Sequence, residues 1–227
     1  MAEEMTAVAE RAQAAYFAGD AAALATLSTA AAPWAKSARP RELYTHAYVE
    51  FRVLQLAIGA RREKDATRAG EACIAALDAA VKLEPKFAEA HALQSACYGY
   101  LANLGGFAAI RNGSRSGKSI AAALALDANS PRIRLVDGFG VYFRPKFVGG
   151  DPVKGCQRFR EAAAGFDAAG PGGAAAPGGI DWGAAEAQLW AGRCARDAGD
   201  AATARRYFER ALALAPGFIA ARKALGR

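Results

Sequence analysis

The sequence GDAATARRYFERALALAP, residues 199–216, is the most informative part of the chain about its fold. Gly199 suits the left-handed position that closes a helix, because glycine adopts a positive φ without steric cost. Asp200 suits the N-cap of the next helix, where its carboxylate can accept a hydrogen bond from an N–H group that lacks an intrahelical partner. The stretch therefore predicts a turn at which two helices fold back on each other.

Small residues and one ring follow this turn at fixed spacing. Ala204, Phe208 and Ala211 lie five, nine and twelve residues after the glycine, and on a helix these offsets share one face. The same offsets recur after a second Gly-Asp pair, where the matching residues are Gly155, Phe159 and Ala162. The unit is therefore repeated, which indicates stacked helical hairpins.

The rest of the sequence has the same helical periodicity. The predicted helices span 3–18, 20–30, 41–62, 66–84, 87–104, 116–127, 131–143, 152–167, 182–198, 201–214 and 217–226. Hydrophobic residues make up 53% of the chain and aromatic residues only 9%, so alanine and leucine supply most of the apolar surface. This composition favours closely packed helices over a sheet.

Repeated hairpins of this kind resemble the tetratricopeptide repeat (TPR) family. The last repeat carries the resemblance best, with Trp190-Ala191-Gly192 in its first helix and Pro216 at its exit. The resemblance implies an all-α fold of antiparallel helical hairpins stacked as a right-handed solenoid. In this interpretation residues 1–40 form an N-terminal helix pair and linker, and residues 41–227 form the array.

The repeats are spaced more widely than the usual TPR unit of about 34 residues. The closing positions Pro85, Ala128 and Pro216 lie 43 and 88 residues apart. Three inserted segments are expected to account for the excess: two loops at 105–115 and 144–149, and a Gly/Ala/Pro-rich linker at 168–179.

Two further segments, PRIRLVDGFGVYFRPKFVGGD (131–151) and DWGAAEAQLWAG (181–192), are similar to a bacterial TPR-like group of unsettled role. Members of that group often carry an export signal. The start of this chain, MAEEMTAVAERAQ, has acidic residues where such a signal needs basic ones. We therefore expect a cytoplasmic protein without a membrane span, or a periplasmic one whose signal has been removed.

The charge balance limits the kinds of partner that the protein is expected to bind. The chain has 29 Lys and Arg against 22 Asp and Glu, a net charge of +7. An excess of positive charge favours an acidic partner such as a peptide carboxylate, an anionic surface or a phosphate. The basic residues are spread along the chain with no run of four, which argues against a nucleic-acid-binding tail but leaves open a folded basic face.

The four cysteines, Cys73, Cys97, Cys156 and Cys194, form no CxxC pair and have no histidine at zinc-site spacing. Each lies in a predicted helix beside alanines. The favoured interpretation is that they are small buried apolar residues. The alternative is a disulfide in an oxidising compartment.

The segment NGSRSGKSIAAAL, residues 112–124, has features of a phosphate-binding loop, because Gly117-Lys118-Ser119 precedes a helix. The spacing argues against that role, since Asn112 occupies the position of the required first glycine. We predict a solvated loop before the helix. Arg111, Arg115 and Lys118 are candidates for a simple anion site.

No pattern predicts catalysis, a metal or a cofactor. His46 and His91 lie 45 residues apart without a nucleophile signature beside either. The carboxylates fall mainly at helix caps and exposed faces. The sequence therefore predicts a protein that is not an enzyme.

The predicted function is a non-enzymatic scaffold that binds a peptide or protein, with an acidic partner favoured, in a groove lined by the first helix of each hairpin. Aromatic rings and guanidinium groups would suit such a partner. The candidate groove residues are Tyr100, Arg132, Phe139, Tyr142, Arg193 and Arg196. The alternative is that these side chains pack inside the protein or are simply solvated and bind nothing. The alternative function is a small anionic ligand or enzymatic pocket closed by the inserted loops, and nucleic-acid binding is a third class.

Overall fold

The computed structural model describes residues 2–170, 172 and 180–226 of the chain. The helices are α1 (Ala2–Ala18), α2 (Ala21–Ala31), α3 (Pro40–Gly59), α4 (Glu63–Leu83), α5 (Ala88–Ala102), α6 (Ala108–Leu126), α7 (Pro131–Phe143), α8 (Pro152–Ala169), α9 (Ala184–Asp197), α10 (Ala201–Leu214) and α11 (Ile219–Ala224). Short 3-10 helices cover Ala32–Lys36 and Lys146–Val148. The described residues contain no strand, which confirms the all-α prediction.

Consecutive helices pair as hairpins: α3 with α4, α5 with α6, α7 with α8 and α9 with α10. Two compact units result. In the described part of the chain the first unit contains α1 to α6 and Ile180, and the second contains α7 to α11. α1 and α2 both pack on α3, while α11 packs on α9 and α10. The separate N-terminal part at 1–40 stays a prediction.

The turn between α9 and α10 has the predicted geometry. Gly199 closes α9 with a φ of +83°. The carboxylate of Asp200 accepts a hydrogen bond of 2.9 Å from the backbone N–H of Thr203 at the start of α10. Asp151 caps α8 in the same way, with bonds from Val153 and Lys154. Local turn chemistry therefore sets the boundaries of these hairpins.

The spacing of small residues and rings also has the predicted effect. Ala204, Phe208 and Ala211 are all buried on one face of α10. A Cβ atom at Gly192 of α9 would lie 2.5 Å from the ring of Phe208, closer than any side-chain contact allows. A glycine on one helix thus makes room for a ring on its partner, and the two backbones approach closely.

The cysteines correct the sequence-based interpretation, because all four are paired. Cys73 of α4 bonds to Cys97 of α5, with 6.6 Å between their Cα atoms. Cys156 of α8 bonds to Cys194 of α9, with 5.7 Å between theirs. In each unit the disulfide joins the second helix of one hairpin to the first helix of the next. The sequence could not reveal this, since pairing depends on which helix faces meet.

The predicted loop at 105–115 is a second correction. α6 begins at Ala108, so most of this segment is helical. Ser116 is buried and donates a 2.9 Å hydrogen bond to the carbonyl oxygen of Ser95 on α5, which satisfies its polar group inside the hairpin. The Gly117-Lys118-Ser119 sequence therefore lies within a helix, and it does not form a phosphate loop.

The linker predicted at 168–179 falls largely outside the described residues. α8 continues to Ala169, two residues into the predicted linker, and Gly170 follows with a φ of +70°. The predicted loop at 144–149 contains the 3-10 helix Lys146–Val148. None of the described helices combines the length and the apolar character that crossing a bilayer requires.

Candidate functional site

The second unit contains a cluster of five rings, which we call the aromatic cluster: Phe139, Tyr142, Phe143, Phe159 and Trp190. Trp190 lies at its centre, with its ring centroid 5.4 Å from that of Phe139, 5.8 Å from Tyr142 and 5.2 Å from Phe143. Phe159 completes the cluster at 5.6 Å from Trp190. Several of these contacts are edge-to-face, an arrangement that aromatic pairs favour.

Helical spacing explains why these rings meet. Phe139, Tyr142 and Phe143 are three and four residues apart on α7 and therefore share one face. Phe159 reaches them from α8 and is fully buried. Phe143 keeps 47% of its surface exposed. The cluster thus has a buried base and an exposed edge.

Cations border the aromatic cluster. The guanidinium carbon of Arg193 lies 4.4 Å from the centroid of the Trp190 ring, within the range of a cation–π interaction. Arg196, one turn further along α9, is exposed and contacts the carboxylate of Asp197 at 3.3 Å. Lys223 on α11 adds a third positive charge.

Together these side chains border an open cavity of about 430 Å³, which we call the α9 depression. Its lining residues come from α7, α9 and the C-terminal α11, the first helices of successive hairpins and the helix that follows them. They are Tyr142, Phe143, Trp190, Arg193, Arg196, Asp197, Ala220, Lys223 and Ala224. Three cations and a single carboxylate give this surface a positive balance.

The unit around the α9 depression carries most of the chain's net positive charge. Residues 129–175 and 181–227 include 15 Lys and Arg against 9 Asp and Glu, a net charge of +6. Residues 1–128 and 176–180 include 14 against 13, a net charge of +1. An anionic ligand would therefore be attracted more strongly to the second unit.

The structure brings together four of the six predicted groove residues. Phe139 and Tyr142 belong to the aromatic cluster, and Arg193 and Arg196 line the α9 depression. Phe143, Trp190 and Lys223 were missed as site residues. Adjacency to Tyr142 was an available signal for Phe143, whereas Lys223 required knowledge that α11 packs beside α9.

Arg132 corrects the prediction, because it is fully buried and cannot line an open groove. Its Nε atom donates a 2.9 Å hydrogen bond to the carbonyl oxygen of Trp182, and its guanidinium lies 3.5 Å from the carboxylate of Asp181. The guanidinium carbon is also 5.1 Å from the Trp182 ring centroid. Arg132 therefore ties the start of α7 to the segment before α9.

Tyr100 belongs to the first unit and so is not a member of this site. Its hydroxyl oxygen accepts a 3.0 Å hydrogen bond from the side-chain amide of Gln55. Its ring contacts Phe51 edge-on, with 5.8 Å between centroids. These contacts place it in the packing of α3 against α5.

One carboxylate near the aromatic cluster is held in a structural ion pair. The carboxylate of Asp137 lies 3.1 Å from Nε of Arg158. Burial raises the pKa of Asp137, and the positive charge of Arg158 acts in the opposite direction.

Among the described residues, no group of three or more His, Cys, Asp and Glu side chains is placed to hold a metal ion.

The structure places only two of the three residues of the predicted anion site in the same cavity. Arg111 and Arg115 of α6 both line a second cavity, of about 370 Å³, in the first unit. Lys118 lies on the same helix but is exposed and does not line that cavity.

Comparison with known proteins supports the fold. No family model matches the sequence, and no curated protein matches it. The structure is similar to the crystal structure of a thermophilic TPR protein from Thermus thermophilus, with a TM-score of 0.54 and 13% sequence identity over the full length of both chains. The protein therefore has a TPR-like fold of helical hairpins.

Proposed function

We propose that this protein binds an acidic peptide segment of a partner protein in the α9 depression. The proposal rests on one observation: in the second unit, partly exposed aromatic rings lie beside positively charged side chains in the same depression. Trp190 and the exposed ring of Phe143 supply apolar contact area. Arg193, Arg196 and Lys223 supply positive charge beside it.

An acidic partner suits these groups for a physical reason. A guanidinium group can bind a carboxylate through two parallel hydrogen bonds, which gives both strength and orientation. Asp197 is the only carboxylate among the described residues that line the depression, and the unit around it has a net charge of +6. A partner with one or two acidic residues next to an apolar residue would satisfy both parts of the surface.

A peptide fits this surface because the groups that contact it lie on separate helices. Tyr142, Arg193 and Lys223 come from α7, α9 and α11, so an elongated ligand can contact all three. The rings of the aromatic cluster pack on one another within the unit, with Phe159 fully buried beneath them. A rigid surface needs little ordering when it binds, which favours affinity.

Labelled peptides of about twelve residues test the proposal. One alternates Asp with Leu and Phe, a second replaces every Asp with Asn, and a third replaces every Asp with Lys. We expect the Asp peptide alone to bind, as measured by fluorescence anisotropy. The double substitution Arg193→Glu and Arg196→Glu should weaken its binding about tenfold or more, because attraction becomes repulsion.

The matched control is Arg205→Glu with Arg206→Glu on α10, which changes the net charge by the same amount at two exposed positions outside the α9 depression. This control should bind the Asp peptide almost as the native protein does. Equal weakening in both variants would show general electrostatic attraction and overturn the proposed site. Equal binding of the Asn peptide would overturn its acidic specificity.

We also propose that the protein works in an oxidising compartment, such as the periplasm. Two disulfides join helices at corresponding places in the two units, and disulfides persist mainly outside the reducing cytosol. Protein precipitated in acid directly from its native cells, to prevent thiol exchange, and then denatured and treated with a maleimide-linked polymer should therefore show no mass shift. A shift for all four cysteines would place the protein in a reducing compartment.

A further inference from the structure

The first unit contains a cavity that the proposed peptide site does not use. It lies between α4 and α6, with α5 at its base, and has a volume of about 370 Å³. We call it the α4–α6 cavity. Its lining includes Glu71 and Asp78 of α4, Tyr98 of α5, and Arg111 and Arg115 of α6. This volume is within the range of small-molecule sites.

The two walls of the α4–α6 cavity carry opposite charges. α4 contributes the carboxylates of Glu71 and Asp78, and α6 contributes the guanidinium groups of Arg111 and Arg115. Glu71 and Arg111 form no ion pair or hydrogen bond with any part of the chain that the structure describes. The cavity is therefore bordered by charges of both signs, and Glu71 and Arg111 among them have no ion-pair partner in that part of the chain.

The other two charges have partners within the unit. The carboxylate of Asp78 accepts a 2.7 Å hydrogen bond from the side-chain amide of Gln94. The guanidinium carbon of Arg115 lies 5.7 Å from the ring centroid of Tyr98. Burial raises the pKa of Asp78, while the nearby charge of Arg115 lowers it. Glu71 and Arg111 are thus the groups left available to a ligand.

Apolar side chains separate the charged walls. Ile74 lies on α4, Leu101 lies in the last turn of α5, and Leu104 follows that helix. A ligand that fills the cavity must therefore match a positive wall, a negative wall and an apolar surface.

We propose that the α4–α6 cavity binds a small zwitterion, an amino acid or short peptide with a free ammonium group and a free carboxylate. The ammonium group pairs with Glu71 and the carboxylate with Arg111, while an apolar side chain contacts Ile74 and Leu101. This site lies within the first unit and shares no lining residue with the α9 depression.

Leucine compounds test the proposal by isothermal titration calorimetry. The probes are L-leucine and L-leucyl-L-leucine, each with its amide, which lacks the carboxylate, and its N-acetyl form, which lacks the ammonium group. We expect at least one zwitterion to bind and both of its blocked forms to bind about tenfold more weakly. Absence of binding by both zwitterions, or equal binding of an N-acetyl form, would overturn the proposal.

Substitutions then test the two walls separately. Glu71→Gln and Arg111→Gln should each weaken binding of the zwitterion about tenfold, because each removes one charge pair. Lys118→Gln on the same helix is the matched control and should leave binding unchanged, since Lys118 does not line the cavity.

The exchange variant Glu71→Arg with Arg111→Glu separates recognition from structure. It keeps one positive and one negative group at the cavity, so a zwitterion can bind in the reversed orientation. Recovery of binding relative to either single substitution would support the dipolar site. Loss of binding together with an unchanged unfolding midpoint would contradict it.

Discussion

Removal of either disulfide is expected to lower the free energy of unfolding of its unit by about 3–4 kcal/mol. The bonded cysteines are 24 residues apart in the first unit and 38 in the second. Closing loops of this length restricts the unfolded chain, and the effect grows only slowly with loop length. The second bridge should therefore stabilise its unit slightly more than the first.

Urea unfolding of the oxidised and reduced native protein measures this effect. Reduced protein should unfold at a lower urea concentration. Variants with Cys73→Ala and Cys97→Ala, or with Cys156→Ala and Cys194→Ala, identify the contribution of each bridge. Trp182 and Trp190 lie in the second unit, so tryptophan fluorescence reports mainly on its bridge.

A variant with all four cysteines replaced by alanine is the control, and its midpoint should not respond to the reductant. If reduction of the native protein left the urea midpoint unchanged, the bridges would contribute nothing to stability. That result would contradict their role in joining successive hairpins.

Helix boundaries could be predicted where the signals are local. The ends of α7 and α10 agree with the sequence-based boundaries, 131–143 and 201–214. Ser130 caps α7 through its side-chain oxygen and Asp200 caps α10 in the same way. Such signals depend on a few adjacent residues, so they can be identified without knowledge of the tertiary structure.

Features that depend on packing could not be predicted. The Gly-Lys-Ser sequence lies inside α6, where the preceding Ser116 donates a hydrogen bond to Ser95 on another helix. Arg132 has the side-chain charge expected of a groove residue, but it is buried against Trp182. The cysteine pairs likewise follow from contacts between hairpins. In each case the deciding partner is distant in sequence.

The candidate site could be predicted in part. Phe139 and Tyr142 share a face of α7, and Arg193 and Arg196 lie one turn apart on α9, so helical spacing was enough to group each pair. Their association around Trp190 depends on how α7 packs beside α9. The repeat pattern identified the first helices but could not specify that contact.

Replacement of Phe159 by alanine is expected to cost about 3–5 kcal/mol of unfolding free energy. Phe159 is fully buried, and its ring lies 5.0 Å from Phe139 and 5.6 Å from Trp190. The substitution removes apolar contact and leaves a cavity below the aromatic cluster. Phe159→Leu keeps more of the volume, so it should cost roughly 1 kcal/mol. Urea unfolding followed by far-UV circular dichroism measures both values.

Phe208→Ala is the matched control, because Phe208 holds the corresponding place in the last repeat and is also buried. It should cost a similar free energy through lost packing on α9. The two variants should differ in near-UV circular dichroism under conditions where both are folded. Phe159→Ala removes a ring neighbour of Trp190 and should reduce that signal, whereas Phe208 packs against Gly192. Equal near-UV changes in both variants would contradict a distinct role for Phe159. They would mean that loss of packing anywhere in the unit disturbs Trp190 as strongly as loss of the ring beneath it.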